Sequence, residues 1–227
     1  MKKFLFMTII CALCVSFGAL ANEYTSEEVK RCDGGEKEDY TDIYSCNSCP
    51  DICDSAGSPI NGTLTMKFLF NTLTIPYENG KKEGMQKEHT SKGELRGEIP
   101  YIAGKKDGVQ KTYRDDGSVS YEATFKNGNL DGNERHYYDN GNFETDIVYK
   151  DGKRDGYSRA YYRDGTMLVE TIYKDGKMDG IQTQYFYPKD KILKKEVEYK
   201  DDEAVSTRYF DENGKEIDEK TFTRKRM

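Results

Sequence analysis

One pattern recurs every 24 residues through most of this 227-residue chain. Each copy has Tyr or Phe three positions before a first glycine, and a second glycine follows four positions later. The first glycines are Gly80, Gly104, Gly128, Gly152 and Gly176, and the second ones are Gly84, Gly108, Gly132, Gly156 and Gly180. A fixed period of this length indicates a chain built by stacking one small unit, and such chains typically present extended binding surfaces.

Half a period along each unit lies a second turn signal, such as Asn140-Gly141 or Asp164-Gly165. Asn-Gly and Asp-Gly provide the positive backbone dihedral angles that tight hairpins need, so each unit contains two reversals and two strands. Between the turns, apolar and polar residues alternate, as expected of strands with one buried face. The predicted buried columns are Val119, Tyr121, Ala123 and Phe125, then Phe143, Thr145, Ile147 and Tyr149.

The pattern therefore predicts an all-β fold, an elongated single-sheet antiparallel meander of about five to six 24-residue hairpin repeats. A second column with the same period runs along the shorter strands: His89, Tyr113, Tyr137, Tyr161, Tyr185 and Tyr209. These tyrosines have two interpretations, packing between strands or an exposed contact surface.

The segment Tyr149-Lys-Asp-Gly-Lys-Arg-Asp-Gly156, followed by Tyr161-Tyr-Arg-Asp-Gly165, closely resembles the MORN-repeat family in its bacterial variant form. The resemblance extends over about two thirds of the chain, from Tyr77 to Gly214. It implies a hairpin-by-hairpin sheet without catalytic activity of its own. Proteins with this variant are often labelled YwqK-type antitoxins, whereas eukaryotic relatives are commonly scaffolds at membranes.

The two ends of the chain differ from the repeats. Lys2 and Lys3 precede an apolar run that ends at Ala19-Leu-Ala21, which predicts a secretory signal peptide over residues 1–21 and export to the periplasm or cell surface. Residues 22–60 form a predicted Cys-rich extension, residues 61–220 the repeat domain and residues 221–227 a frayed tail. Leu64, Met66, Phe68 and Phe70 alternate, which predicts a first strand or strand pair that caps the sheet.

Four cysteines remain after the predicted signal peptide: Cys32, Cys46, Cys49 and Cys53. An even number of clustered cysteines in an exported segment favours two disulfides, with three connectivities open. A zinc site or a redox dithiol would use the same residues. No histidine lies near the cluster, an oxidising compartment disfavours free thiolates, and no βαβ pattern surrounds the cysteines, so the disulfides are preferred.

Charge and composition exclude several kinds of partner and chemistry. Without the predicted signal peptide the chain loses two of its 35 basic residues, so 33 against 41 acidic residues give a net charge of −8. This balance argues against nucleic acid and against strong affinity for anionic membranes, and it is compatible with a basic protein partner. His89 occupies a tyrosine position of the repeat, so it is interpreted as a packed sheet residue and not as a general base. The Asp-Gly pairs are explained by turns instead of calcium ligands, and no cofactor or catalytic residue is expected.

Two interpretations of function remain. The first is an exported, non-enzymatic antitoxin or immunity protein that neutralises a toxin or effector in the envelope. The second is an interaction scaffold at the envelope or cell surface, and an enzyme is disfavoured because no nucleophile is paired with a base. Contacts with a protein partner are expected along one face of several consecutive units, with Tyr138, Tyr162, Arg135 and Arg159 as the candidate residues.

Overall fold

A computed structural model describes residues 22–25, 28–31, 51–54, 56–187 and 192–226. The early strands are β1 Asn22–Thr25, β2 Val29–Arg31, β3 Ile52–Asp54, β4 Gly62–Lys67, β5 Asn71–Glu78, β6 Lys81–Lys82, β7 Gly84–Thr90, β8 Leu95–Ile102, β9 Lys105–Lys106 and β10 Gly108–Tyr113. The later elements are β11 Val119–Lys126, β12 Asn129–Tyr137, β13 Phe143–Lys150, β14 Lys153–Tyr161, β15 Met167–Lys174, β16 Lys177–Phe186, β17 Leu193–Lys200, β18 Glu203–Phe210, β19 Glu216–Ile217 and helix α1 Glu219–Arg226.

The predicted all-β meander is confirmed, and the sheet is open. Seventeen strands form one sheet, in which each long strand from β4 to β18 pairs antiparallel with the next long one along the chain. The sheet is mixed and not purely antiparallel, because β1 pairs parallel with β4. Part of the predicted Cys-rich extension therefore belongs to the main sheet, while β2 and β3 form a separate two-stranded sheet.

The repeated turns stack on one another along one edge of the sheet. Asn127 and Gly128, with φ of 50° and 90°, form one such turn, and glycine avoids the Cβ clash that this conformation causes. The backbone NH of Gly128 donates to the carbonyl of Lys106 in the preceding repeat at 2.8 Å. The carboxylate of Asp107 accepts from the NH of Asn127 at 3.0 Å. The second Asp-Gly of the repeat thus links neighbouring turns, in addition to shaping its own.

The two faces of the sheet differ, and we name them by what they carry. The packed face holds the buried apolar residues, including Ala123, Phe125 and Ile147. At its N-terminal end, β3 covers this face and contributes to the largest core cluster, which consists of Ile52, Ile60, Leu64, Met66, Leu73, Ile75 and Tyr77. The other face, which we call the charged face, carries a row of ionised side chains described below.

Residues 221–226, which the sequence predicts as part of a frayed tail, instead belong to helix α1. Its Phe222 is buried and contacts the rings of Phe186 and Tyr209, with centroid distances of 5.4 and 5.0 Å. Asp218 precedes the helix, and its carboxylate accepts from the backbone NH and the hydroxyl of Thr221, a typical N-terminal cap. The helix covers the C-terminal end of the sheet by burying one aromatic side chain.

Three of the predicted strand columns are interrupted. A bulge separates Val119 from Tyr121, so Val119 lies opposite Tyr113 and not on the packed face with Ala123. Phe143 does not follow Thr145 and Ile147 onto the packed face, because a bulge separates them and its ring packs 5.2 Å from that of Tyr137 on the charged face. Leu64 and Met66 are buried as predicted, but Phe68 and Phe70 are exposed where β4 turns into β5. The alternation therefore ends at Met66, four residues earlier than the sequence suggests.

Other predictions concern residues beyond this description. The predicted signal peptide, residues 1–21, lies outside the described residues, as do Cys32, Cys46 and Cys49. Cys53 is buried on β3 and is disulfide-bonded. The pairing of the four cysteines stays a prediction.

Candidate protein-binding face

A row of charged side chains crosses the charged face at one residue per strand. Each member is the register partner of the next, so all of them project from the same face. The row runs Lys87, Glu98, Lys111, Glu122, Arg135, Asp146, Arg159, Glu170, Thr183, Glu196 and Arg208, and all of these except Thr183 are charged. We call these residues the charged row. From Lys87 to Glu170 the sign of the charge alternates at every step, which places opposite charges beside each other across every strand pair.

The geometry of the pairs becomes tighter toward the middle of the sheet. Lys111 Nζ lies 3.3 Å from Glu122, and Arg159 Nε donates to Glu170 at 2.5 Å. Arg208 again pairs with Glu196 at 2.9 Å near the C-terminal end. Such pairs contribute about 0.2 to 1 kcal/mol each, so their main effect is to favour one strand register over its alternatives.

Asp146 is the most connected carboxylate of the charged row. Its Oδ1 accepts from Asn133 Nδ2 at 2.8 Å and from Arg135 Nε at 3.1 Å, and its Oδ2 accepts from the Tyr157 hydroxyl at 3.1 Å. Asp146 as a whole is only 5% exposed. Burial opposes the charge on Arg135, but Asp146 outweighs that effect and raises the pKa of the guanidinium. The network therefore keeps the Arg135 guanidinium ionised in a partly buried site.

Tyrosines of the second predicted column bind the acids of the charged row. The Tyr113 hydroxyl donates to Glu98 at 2.9 Å, and the Tyr137 hydroxyl donates to Glu122 at 2.8 Å. Burial and these hydrogen bonds raise the pKa of each tyrosine to about 12. For these two residues the packing interpretation of the column is the correct one, because their hydroxyls are engaged within the fold.

Beside the charged row, the same face carries exposed apolar side chains with the period of the repeat. Met85, Val109 and Ile181 each follow the second glycine of a unit, and each lies two residues from a member of the charged row on its own strand. We call these three residues the apolar column. Exposed apolar residues beside arginine and tyrosine form the residue combination that is enriched in protein interfaces.

The packed face, in contrast, turns its cations inward. Lys82 is fully buried, its Nζ donates to Gln86 at 2.8 Å, and it lies 4.4 Å from the ring centroid of Tyr101. Burial, and secondarily the charge of Lys106, lower the pKa of Lys82 to about 7. One repeat later, Lys106 donates to Gln110 at 3.0 Å in the same arrangement. With β3 and helix α1 covering its two ends, the packed face is the less accessible of the two.

The four predicted partner-binding residues divide into two pairs. Arg135 and Arg159 are members of the charged row, and Arg159 also lies 3.9 Å from the ring centroid of Tyr157. Tyr138 and Tyr162 lie at the strand ends beside the turns. The Tyr138 hydroxyl donates to the carbonyl of Tyr161 at 2.9 Å, whereas Tyr162 is exposed and contacts Tyr187 edge to face. Tyr138 is therefore tied into the next repeat, and Tyr162 is the more accessible of the two.

The sequence reasoning missed the acidic half of the charged row and the apolar column. Both sets have the period of the repeat. The acidic residues Glu98, Glu122, Asp146 and Glu170 follow one another at 24 residues, in step with the basic residues Lys87, Lys111, Arg135 and Arg159. Comparing every position of the aligned units, and not the glycines and aromatics alone, would have found both sets.

The described part of the chain offers little for catalysis or metal binding. No cluster of three or more His, Cys, Asp or Glu side chains there is arranged to hold a metal ion. Its one helix has eight residues, and no helix among the described residues is long and apolar enough to cross a membrane.

An open sheet of stacked hairpins with one exposed charged and apolar face defines a β-hairpin repeat protein. Two family models match this chain. The MORN repeat variant matches residues 106–127 and 130–151, and the N-terminal region of the histone H3 K4-specific methyltransferase SET7 matches residues 149–209. No curated protein matches the chain. The two matched repeats are thus of the MORN-variant type, which indicates a protein-binding repeat protein, and both matched models describe non-catalytic modules.

Proposed function

We propose that this protein is an exported, non-enzymatic binding protein that holds a protein partner on its charged face, and that it acts as an antitoxin or immunity protein in the envelope. The observation that carries the binding role is the apolar column beside the charged row. Met85, Val109 and Ile181 expose apolar surface on the open face, although polar residues would serve a solvated sheet equally well.

The finer parts of the proposal have separate support. Export rests on Lys2, Lys3 and the apolar run that ends at Ala19-Leu-Ala21. The antitoxin role rests on the resemblance of the repeats to the bacterial variant. The net charge of −8 expected after signal-peptide removal favours a basic toxin or effector over an acidic one.

The test is to remove the apolar column without disturbing the charged row. We expect Val109→Ser with Ile181→Ser to weaken partner binding about tenfold or more, because both side chains leave a desolvated contact. Leu168→Ser is the matched control, since Leu168 is also exposed but lies in the bulge of β15, at a different repeat position from the apolar column. Binding is measured by titration with the partner that copurifies from the envelope fraction.

The same variants decide between the two functional interpretations. In a strain that lacks the gene, the wild-type protein and the control should restore growth in the presence of a toxin encoded nearby, and the double variant should not. If the copurifying partners belong to the wall or outer membrane and no toxin affects the mutant strain, the scaffold interpretation replaces the antitoxin one. Equal binding by the double variant and the control would contradict the assignment of the charged face.

A further inference from the structure

Three consecutive apolar residues form the tip of the β4–β5 hairpin. Phe68, Leu69 and Phe70 are 45%, 81% and 77% exposed. The residues before them on the strand, Leu64 and Met66, are buried in the core cluster. A run of three exposed apolar residues has no stabilising role within the fold, so it indicates a binding function.

The corresponding turns elsewhere show that apolar residues are not required at this edge of the sheet. The neighbouring turn reads Ser91-Lys92-Gly93, and the later turns of this edge that are described in full are Asp115-Asp116-Gly117, Asp139-Asn140-Gly141, Arg163-Asp164-Gly165 and Glu212-Asn213-Gly214. All of them are polar or charged and contain glycine. Leu69 and Phe70 are thus unusual choices for the corner of a hairpin, where Asn and Gly are preferred.

Hydrogen bonds anchor the backbone of the tip to its own hairpin and to the neighbouring turn. Phe68 donates its backbone NH to the carbonyl of Asn71 at 2.8 Å, and the carbonyl of Phe70 accepts from the NH of Ser91 at 2.9 Å. The Asn71 side chain donates to Glu88 on β7 at 2.5 Å. The backbone on both sides of the tip is anchored, and the three side chains are presented to solvent.

Shape and charge favour a lipid bilayer as the occupant. The tip exposes on the order of 400 Å² of apolar surface, about half of what each partner buries in a typical specific protein interface. A bilayer needs no complementary pocket, since an apolar tip enters its hydrocarbon boundary directly. Lys67 and Lys92 are exposed beside the tip, where ammonium groups can meet lipid phosphates. The nearby Glu94 accepts a hydrogen bond from Thr90 in its own turn.

We propose that Phe68, Leu69 and Phe70 insert into the interfacial region of a phospholipid bilayer and hold the repeat sheet at a membrane surface. The interaction is driven by apolar burial, so it does not require the anionic lipid that the acidic net charge disfavours. It uses a different part of the molecule from the charged face, and a protein partner can be bound at the same time.

The test uses a tryptophan reporter, because the natural sequence contains no Trp. In the full chain carrying Leu69→Trp, we expect phosphatidylcholine vesicles to shift the emission to the blue and brominated acyl chains to quench it. The matched control is Val205→Trp, at another exposed apolar position, whose emission should not change. This comparison is specific to the labelled site, so membrane contact by another part of the chain does not affect its reading.

A second measurement gives the contribution of the tip to binding. In vesicle titrations, we expect Leu69→Ser and Phe70→Ser each to lower the vesicle partition coefficient of the protein about tenfold. The circular dichroism spectra should stay unchanged, because both side chains are exposed. An absent shift with every vesicle composition would overturn the proposal. A shift that needs anionic lipid and disappears in high salt would also overturn it. So would a shift that appears without lipid when the concentration of the protein or of its protein partner is raised.

Discussion

Replacing Asp146 tests whether the charged row contributes to stability or is only a solvated pattern of charges. In Asp146→Ala, Arg135 Nε and the Tyr157 hydroxyl lose their acceptor, and Asn133 Nδ2 keeps only the Tyr157 oxygen of its two acceptors. Each lost hydrogen bond to a charged group costs about 1.5 kcal/mol or more when its partner stays desolvated. The side chain of Arg135 is one-third exposed, at 33%, so water recovers part of its loss. We expect a total destabilisation of about 3 kcal/mol.

The assay is urea unfolding followed by far-ultraviolet circular dichroism. For a chain of this size a loss of about 3 kcal/mol also lowers Tm by about 6 to 12 °C. Glu144→Ala is the matched control, because Glu144 lies on the same strand and is exposed, and we expect it to change stability by less than about 0.5 kcal/mol. Hydrogen exchange should place the loss of protection in β12, β13 and β14, the strands that contribute to the network.

A second substitution distinguishes a broken network from a damaged strand. Arg135→Met added to Asp146→Ala removes the cation that the first change leaves without its buried partner. We expect the double variant to be more stable than Asp146→Ala alone, because an uncompensated charge costs more than an apolar side chain of similar length. If Asp146→Ala behaves like the Glu144 control, the charged row does not stabilise the sheet and the reasoning fails.

Two further predictions concern single positions. The free energy of unfolding of the natural protein should rise by about 3 kcal/mol between roughly pH 7 and pH 9.5, and Lys82→Met should abolish this rise. The folded-state pKa of Lys82 is lowered to about 7, so the unfolded chain binds more protons across that window and stability increases with pH; pH-dependent urea titrations of both proteins check this, and parallel curves would contradict it. Gly132→Ala should cost about 1 kcal/mol more than Gly141→Ala in the same assay. Both glycines have positive φ, but only a Cβ at Gly132 would lie 2.9 Å from that of Thr124, and equal losses would show that this contact relaxes.

The sequence predicts the sheet well because its turns are specified locally. Asn127-Gly128 and its equivalents determine where each strand ends, and the period determines how the hairpins follow one another. The prediction even holds where the glycines are absent. Asp201 and Asp202 form the corresponding turn with φ of 50° and 73°, since Asp tolerates the left-handed region better than most residues.

What the sequence does not predict depends on contacts between distant elements. The bulge between Phe143 and Thr145 moves the Phe143 ring to the charged face, and strict alternation gives no sign of it. Helix α1 has a single buried residue, Phe222, within a highly charged segment, so an amphipathic pattern is nearly absent. The candidate residues Arg135 and Arg159 were correctly placed one period apart. Their partners Asp146 and Glu170 lie on neighbouring strands, and the pairing becomes visible only when the strand register is known.

The irregular positions of the repeat indicate what kind of partner the charged face suits. The position that holds Val109 and Ile181 holds Asn133 and Tyr157 in the two units between them, and both of these bind Asp146 within the fold. The apolar side chains of Val109 and Ile181 therefore lie on either side of two units in which this position is polar. Val109 on β10 and Ile181 on β16 are six strands apart, or about 29 Å at the usual strand spacing. A partner that contacts both side chains must extend over that distance, which a folded protein does and a small molecule does not.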